Sequence, residues 1–288
     1  MSTPPAGCRH PFPISSPFFA TDLPAALPTT AEIENSQHIL KATTHSKVVA
    51  VGQHFVVKYG VGLNLEEGRM MIFIQQRTRI PVPRVFALYH ETEGKSFIVM
   101  ERIHGQPLTE LWNLYTETEK ENLVAQLKGL LEQLRQIESP GGYCSLDQQP
   151  LYDPIFRTPL HNCDGPFDSE MSLNNALIKK CYSSGSEGVR YKAKFYQRHL
   201  HTFFRDHPPV LTHGDIQMKN IMIRPGPKPE LVLLDWATAG WYPKYWEYTS
   251  ALWCAWFQED WSEWLPKFLE PFPKEYAWFE MLTQELAF

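Results

Sequence analysis

No stretch of this 288-residue sequence reaches the roughly 18 consecutive apolar residues needed to cross a bilayer, so no membrane span is predicted. The N-terminus lacks a basic segment followed by an apolar one, so no secretory signal is expected either. Positive charge is also in short supply. A net charge of -5, with 20% of residues charged, offers no footing on a nucleic-acid backbone and argues against that class of partner. The five cysteines, Cys8, Cys144, Cys163, Cys181 and Cys254, form no C-x-x-C pair, and an odd, scattered set predicts reduced thiols in a cytoplasmic protein. His161 and Cys163 complete no metal-ligand pattern and read as ordinary loop residues. A glycine-rich G-x-G-x-x-G phosphate loop is missing as well. What remains is an ordinary globular composition, 43% hydrophobic, long enough for a sizeable core as one large domain or two lobes.

The chemistry is concentrated in residues 211–235, LTHGDIQMKNIMIRPGPKPELVLLD. Two short apolar runs, Ile221 to Ile223 and Leu231 to Leu234, flank a Pro/Gly turn and predict a β-hairpin. Asp215 and Asn220 precede the first strand and Asp235 closes the second, so three oxygen-bearing side chains can converge at the hairpin's ends. Hard cations such as Mg²⁺ take such oxygens, and the set suits a metal-bound phosphate. Taken alone, His213-Gly214-Asp215 with a downstream Asn also reads as a turn closed by an Asx cap.

With Asn220 five residues after Asp215, the segment has the form H-x-D-x-x-x-x-N, the catalytic loop of kinase-like phosphotransferases, and Asp235 falls where their Mg²⁺-binding Asp does. HGDIQMKN and LLDWATAG resemble the aminoglycoside phosphotransferase and choline kinase group, including its fungal small-molecule branch. Protein kinases favour Arg in place of Gly214 and carry D-F-G in place of Asp235-Trp236-Ala237. They also have an A-P-E that is lacking after Asp235 here, so a protein kinase is the weaker resemblance. The likeness extends over roughly residues 45–260 and implies an α+β, two-lobed protein-kinase-like fold, with a small β-rich N-lobe and a larger, mainly helical C-lobe.

Residues 1–30 hold seven prolines and predict an extended arm, whose Phe12, Ile14, Phe18 and Phe19 could dock on the body. A short helix is predicted over 31–41, then a hairpin of Val48 to Val51 and Phe55 to Tyr59 around a Gly52-Gln53 turn. Lys58 lies within the second, apolar strand, where an unpaired ammonium is costly to bury, so it needs an acid. Glu66 and Glu67 open the next segment, whose Met70, Met71, Phe73 and Ile74 recur at helical spacing. The resemblance implies that Lys58 holds the α/β-phosphates of ATP and pairs with a Glu of that helix. Glu67 is preferred because Glu67-Gly68 before Met71 resembles the fungal relatives, with Glu66 left open. Strands around Val85 to Tyr89 and Ser96 to Glu101, joined at Glu93-Gly94, lead into Met100-Glu101-Arg102. That stretch resembles the family's hinge, whose backbone reads adenine, and makes Met100 and Arg102 cofactor-binding candidates.

Leu123, Val124, Leu127, Leu130, Leu131, Leu134 and Ile137 trace one face of a long helix, stopped by Ser139-Pro140-Gly141-Gly142. Residues 143–168 read as loop, and two further helices are predicted near 169–181 and 191–206, with Arg190, Lys192, Lys194 and Arg198 on a solvated face. Eight of nine tryptophans lie at or beyond Trp236, Trp256 among them; they read as packing in a helical lobe or as an aromatic wall for an amine acceptor. The expected domains are an arm over 1–30, an N-lobe over 31–102 and a C-lobe over 103–288. The resemblance implies ATP- and Mg-dependent phosphorylation of a small-molecule hydroxyl, with Asp215 catalytic, His213 bracing its loop, and Asn220 and Asp235 holding the metal. The alternative is a degenerate nucleotide-binding or scaffold protein of the same fold, favoured by the missing glycine-rich loop.

Overall fold

The computed structural model describes residues 12, 16–91, 94–156, 163–183, 187–255, 257 and 259–286; Cys8, Ile14, Glu93, His161 and Trp256 lie outside the described residues. In chain order the elements are β1 (Phe18–Phe19), α1 (Thr30–Glu34), β2 (Ile39–Ala42), β3 (Ser46–Val51), β4 (Phe55–Val61), α2 (Glu66–Arg77), β5 (Val85–His90), β6 (Lys95–Glu101), β7 (Gln106–Pro107) and α3 (Leu108–Leu111). There follow α4 (Glu117–Arg135), α5 (Glu170–Ser183), α6 (Glu187–Phe203), β8 (Pro209–Thr212), β9 (Ile221–Arg224), β10 (Glu230–Leu233), β11 (Gly240–Pro243), α7 (Trp246–Ala255), α8 (Trp261–Phe268) and α9 (Pro273–Leu286). The fold is two-lobed and kinase-like, one unit rich in strand and the other mainly helical. The β-rich unit comprises Phe12–Leu114 and Lys219–Ala237, and the helical one Tyr115–Met218 and Thr238–Phe288.

The β-rich unit is built on an antiparallel sheet of order β1-β5-β6-β4-β3-β2. Side chains alternate across a strand. Along β4 this sends Phe55, Val57 and Tyr59 into a core with Val49, Phe97 and Val99. Val56 and Lys58 therefore point to the opposite face, together with Val48 and Met100. Lys58 is in mid-sheet, paired with Val48 on one side and Ile98 on the other.

The helix expected over 31–41 is a correction. A capping box of Thr29 and Glu32 starts α1, but the helix ends at Glu34 and the chain re-enters the sheet as β2. Ser36 donates its hydroxyl to the Ala50 carbonyl, and the Ala50 amide donates to the His38 carbonyl at 2.9 Å. Pairing with β3 outweighs a helix propensity worth only tenths of a kcal/mol per residue, roughly 0 to 0.7. The arm does dock: Phe18 and Phe19 pair with Leu88 and Ala87, Phe19 stacks on Tyr89 at 5.9 Å, and Phe12 meets Phe73 edge-on at 5.4 Å.

In the helical unit α4 carries the predicted leucine face inward and opens on a second capping box, Thr116 with Glu119. One cluster of this unit includes Trp246, which stacks on Phe156 at 5.4 Å and Tyr242 at 5.1 Å. The predicted solvated face of α6 is exposed at Arg190, Lys192, Lys194 and Arg198, though the helix begins four residues earlier than 191.

His207, just before β8, ties three elements together. Its ring Nδ1 lies 2.8 Å from Glu170 of α5, its Nε2 3.5 Å from Glu275 of α9, and its amide donates to Glu170 at 3.0 Å. Burial opposes the charged imidazole, but the Glu170 hydrogen bond and the two carboxylate charges outweigh it and raise the His207 pKa. The stabilisation is complete below the unfolded value of about 6.5 and is lost as pH rises through the raised folded value. Raising pH from about 6 into the mildly alkaline range is therefore expected to lower Tm more in the wild type than in His207→Asn. Melting curves across that range check it, and parallel slopes in the two proteins would rule the linkage out.

Candidate active site

Six of the eight residues singled out by sequence, Lys58, Glu67, Met100, Arg102, Asn220 and Asp235, line one cavity of about 610 Å³ in the β-rich unit. That volume suits a small-molecule site, for which roughly 300–1,000 Å³ is usual. Lys58 reaches it on the face of β4 that it shares with Val56. Glu67 reaches it from α2, where Met70, Met71 and Ile74 are also buried. Gly68 allows the close approach: a Cβ there would stand 2.2 Å from a Leu88 methyl. The Lys58 Nζ is 2.5 Å from Glu67 Oε2 and 3.4 Å from Asp235 Oδ1. Burial by itself would lower the lysine's pKa, but the Glu67 and Asp235 carboxylates more than compensate and raise it, so the ammonium stays charged. Glu66, the alternative partner, is occupied by Arg69 at 2.6 Å.

Asn220 and Asp235 come to the same end of the β9–β10 hairpin because Ile221 pairs with Leu233 and the Leu234 amide donates to the Asn220 carbonyl at 2.8 Å. Asp235 adopts φ 60, a left-handed conformation that Asp tolerates better than most residues. Two ammoniums approach its carboxylate, Lys58 at Oδ1 and Lys41 of β2 at Oδ2, 3.6 Å away. This shows a position that favours positive charge. Among the described residues no three His, Cys, Asp or Glu side chains form a metal cluster. An Asn and an Asp alone fit Mg²⁺, which is commonly held by one or two protein oxygens with substrate phosphates and water completing the shell.

At the end of β6, Met100 pairs with Val56 and Val85. The Glu101 amide donates to the Arg84 carbonyl at 2.8 Å, and the Arg102 amide to the His54 carbonyl at 2.9 Å. The Arg102 guanidinium bonds the Gly52 carbonyl at 2.6 Å. Arg102's N–H is thus already engaged within the chain.

His213 and Asp215 belong to the helical unit. His213 is fully buried, and its Nδ1 accepts the Asp215 amide at 3.2 Å. The Gln217 side-chain amide donates to Asp215 Oδ1. Gly214 has φ +82, and a Cβ there would press at 3.0 Å on Thr238, whose hydroxyl donates to the His213 carbonyl. Sequence reasoning missed the residue that pins this loop. Glu247, 1% exposed in the first turn of α7, accepts the His213 amide at 2.8 Å and the Gly214 amide at 2.9 Å. The signal was available: a lone carboxylate in an apolar helix needs donors, as Lys58 in its strand needs an acid. Among the described downstream tryptophans, five are packing and Trp253 and Trp278 are partly buried. Trp236, Trp241, Trp246, Trp261 and Trp264 are buried, and the Trp246 N–H is bound to Asp153 at 3.0 Å.

A profile of the phosphotransferase enzyme family (APH) matches residues 63–281, and the chain belongs to that family. The match starts after Lys41 and Lys58 and so does not cover them. No curated protein sequence matches the chain. Among solved structures, the GDP and kanamycin complex of APH(2")-IIia superposes with a TM-score of 0.59 at 13% identity, over 88% of this chain and 87% of that one. ADP-bound APH(2'')-Ib gives 0.58 at 17% identity over 88% and 86%. The streptomycin-ATP-APH(2")-IIa ternary complex gives 0.53 at 16% identity over 80% and 76%. At such identities the likeness establishes the fold. The family match makes the chain a phosphotransferase of this superfamily, and the superpositions agree with its kinase-like fold. No helix of the described residues is long and apolar enough to cross a membrane.

Proposed function

We propose that the protein transfers the γ-phosphoryl group of ATP, with Mg²⁺, to a hydroxyl of a small molecule. The observation that carries this reading is the linked set Glu67–Lys58–Asp235 in a cavity that Asn220 also lines. Lys58 holds the phosphates, fixed in place by Glu67. Asn220 and Asp235 hold Mg²⁺, which when bound neutralises phosphate charge. Met100 and Arg102 border the adenine, where the Arg102 amide is already engaged by the His54 carbonyl. Asp215 takes the acceptor's proton as its oxygen bonds to phosphorus and the bond to the ADP oxygen breaks. His213, accepting the Asp215 amide, braces the loop. Such catalysis is mainly positioning and electrostatics.

The acceptor is a hydroxylated small molecule, with aminoglycosides and choline-like amines the first to try. The finer kinship with the fungal small-molecule branch rests on Glu67-Gly68 before Met71 and on Trp241-Tyr242-Pro243 with Trp246-Glu247-Tyr248, which resemble that branch's segment after the metal-binding Asp. The free thiols of Cys144, Cys163, Cys181 and Cys254 support a cytoplasmic setting.

Thermal unfolding with and without ATP and Mg²⁺, beside an Asp235→Asn control, tests the nucleotide site. A ligand at about 100 times its Kd adds about 2.7 kcal/mol to apparent stability. A metal-dependent rise in the wild type, lost in the control, is expected. No rise at millimolar nucleotide would instead support the degenerate scaffold.

A further inference from the structure

Resting on that reading of the cavity, we infer that Lys41 is a second phosphate-holding lysine, and that it competes with the metal cation for Asp235 Oδ2. The sheet register shows how it reaches the cavity. Ile39 of β2 pairs with Val49, a core residue, and simple alternation would put Lys41 on that same core side. Instead Lys41 pairs with Val48, because Leu40 is an extra residue on β2. A bulge of this kind re-aims a side chain and is common beside active sites. Here it turns Lys41 to the face that carries Val48, Val56 and Lys58.

The turn that β2 enters explains why a side-chain cation is needed. In a glycine-rich loop, backbone amides point at phosphate. In this turn the Thr43 amide donates to the Ser46 carbonyl at 2.8 Å, and the His45 and Ser46 amides both donate to the Thr43 hydroxyl, at 3.3 and 3.1 Å. Those three donors are spent on the turn itself. An ammonium on a flexible four-carbon stem can supply what they do not, and its hydrogen bonds to phosphate are charge-assisted.

The two lysines differ in freedom. The Lys58 side chain is 16% exposed and held by Glu67, whereas that of Lys41 is 62% exposed and has Asp235 at 3.6 Å. Lys41 can therefore leave Asp235 for a phosphate oxygen when a divalent cation takes the carboxylate. The two roles predict opposite effects of removing its charge: nucleotide binding weakens while binding of the bare metal strengthens.

The test uses the full chain and Lys41→Met, which keeps most of the stem and removes the charge. Calorimetric titration with ATP and Mg²⁺ is expected to show about tenfold weaker binding, as for loss of one charged hydrogen bond, with adenosine affinity unchanged. Mn²⁺ alone, followed by electron paramagnetic resonance, is expected to bind severalfold more tightly. Lys41→Arg should restore ATP affinity. Unchanged ATP affinity in Lys41→Met, or an equal loss for adenosine, overturns the phosphate role, and unchanged or weaker Mn²⁺ binding overturns the competition. A wild type that binds no nucleotide overturns the proposed function and the role of Lys41 with it. A wild type that binds, matched by its variant, overturns the role of Lys41 alone.

Discussion

Asp215→Asn is expected to lower kcat by roughly 10²–10⁴-fold, the usual contribution of a positioned general base, while leaving the ATP-dependent rise in Tm intact. Asn keeps the size and shape of the side chain and can still accept from Gln217, so the loop keeps its form. The Asp215 amide remains bonded to His213, and Glu247 still holds the two preceding amides. What is lost is the basic oxygen. The residues proposed to bind nucleotide lie in the β-rich unit and are untouched, so binding and turnover should separate cleanly. Steady-state kinetics beside a thermal-shift titration measures both. A variant with full turnover would remove Asp215 from the chemistry. One that no longer binds ATP would mean that the substitution had disturbed more than a proton acceptor.

Much of this was legible because the decisive residues break a local pattern. Lys58 interrupts an apolar strand, and its partner was found by asking where an acid could come from. The hairpin of β9 and β10 declared itself through a Pro/Gly turn between two apolar runs, and its pairing brings Asn220 and Asp235 to one end. The long α4 showed in its leucine spacing. What escaped was decided by tertiary partners. Residues 36–42 have nothing in their own sequence that prefers an edge strand to helix. Pairing with β3, and the Ser36 bond to Ala50, make the choice. With residues 31–41 read as helix, the register that aims Lys41 and the Thr43 turn that β2 enters were hidden as well. The arm's two-residue strand was hidden for the same reason, since its ladder is against β5. For Arg102, sequence could not show that its amide is spent on the His54 carbonyl, a pairing made across 48 residues of chain.

Glu247→Ala is expected to damage stability and catalysis together. Its carboxylate is buried and receives two backbone N–H groups, those of His213 and Gly214. Removing it leaves two donors in a site closed to water, and hydrogen bonds to a charged acceptor are worth about 1.5–3 kcal/mol each, so a loss of roughly 3–5 kcal/mol follows. Against a total stability of about 5–15 kcal/mol that is a large share. It corresponds to a fall in Tm on the order of 10 °C. Glu247→Gln is the instructive intermediate. Its amide oxygen can accept one of the two N–H groups, but its NH₂ then faces the other donor, so about half of the loss should remain. The catalytic consequence follows from the same bonds. Gly214 needs its positive φ, and Thr238 closes against it, so a loop released by Glu247 can shift Asp215 without breaking the fold. A misplacement of about 1 Å can cost roughly 10²-fold in rate. At a temperature where all three proteins remain folded, kcat should therefore fall in the order wild type, Glu247→Gln, Glu247→Ala, with nucleotide affinity nearly constant. Melting curves that coincide with the wild type would show that the two amides find other partners, and the pinning role would fall with them.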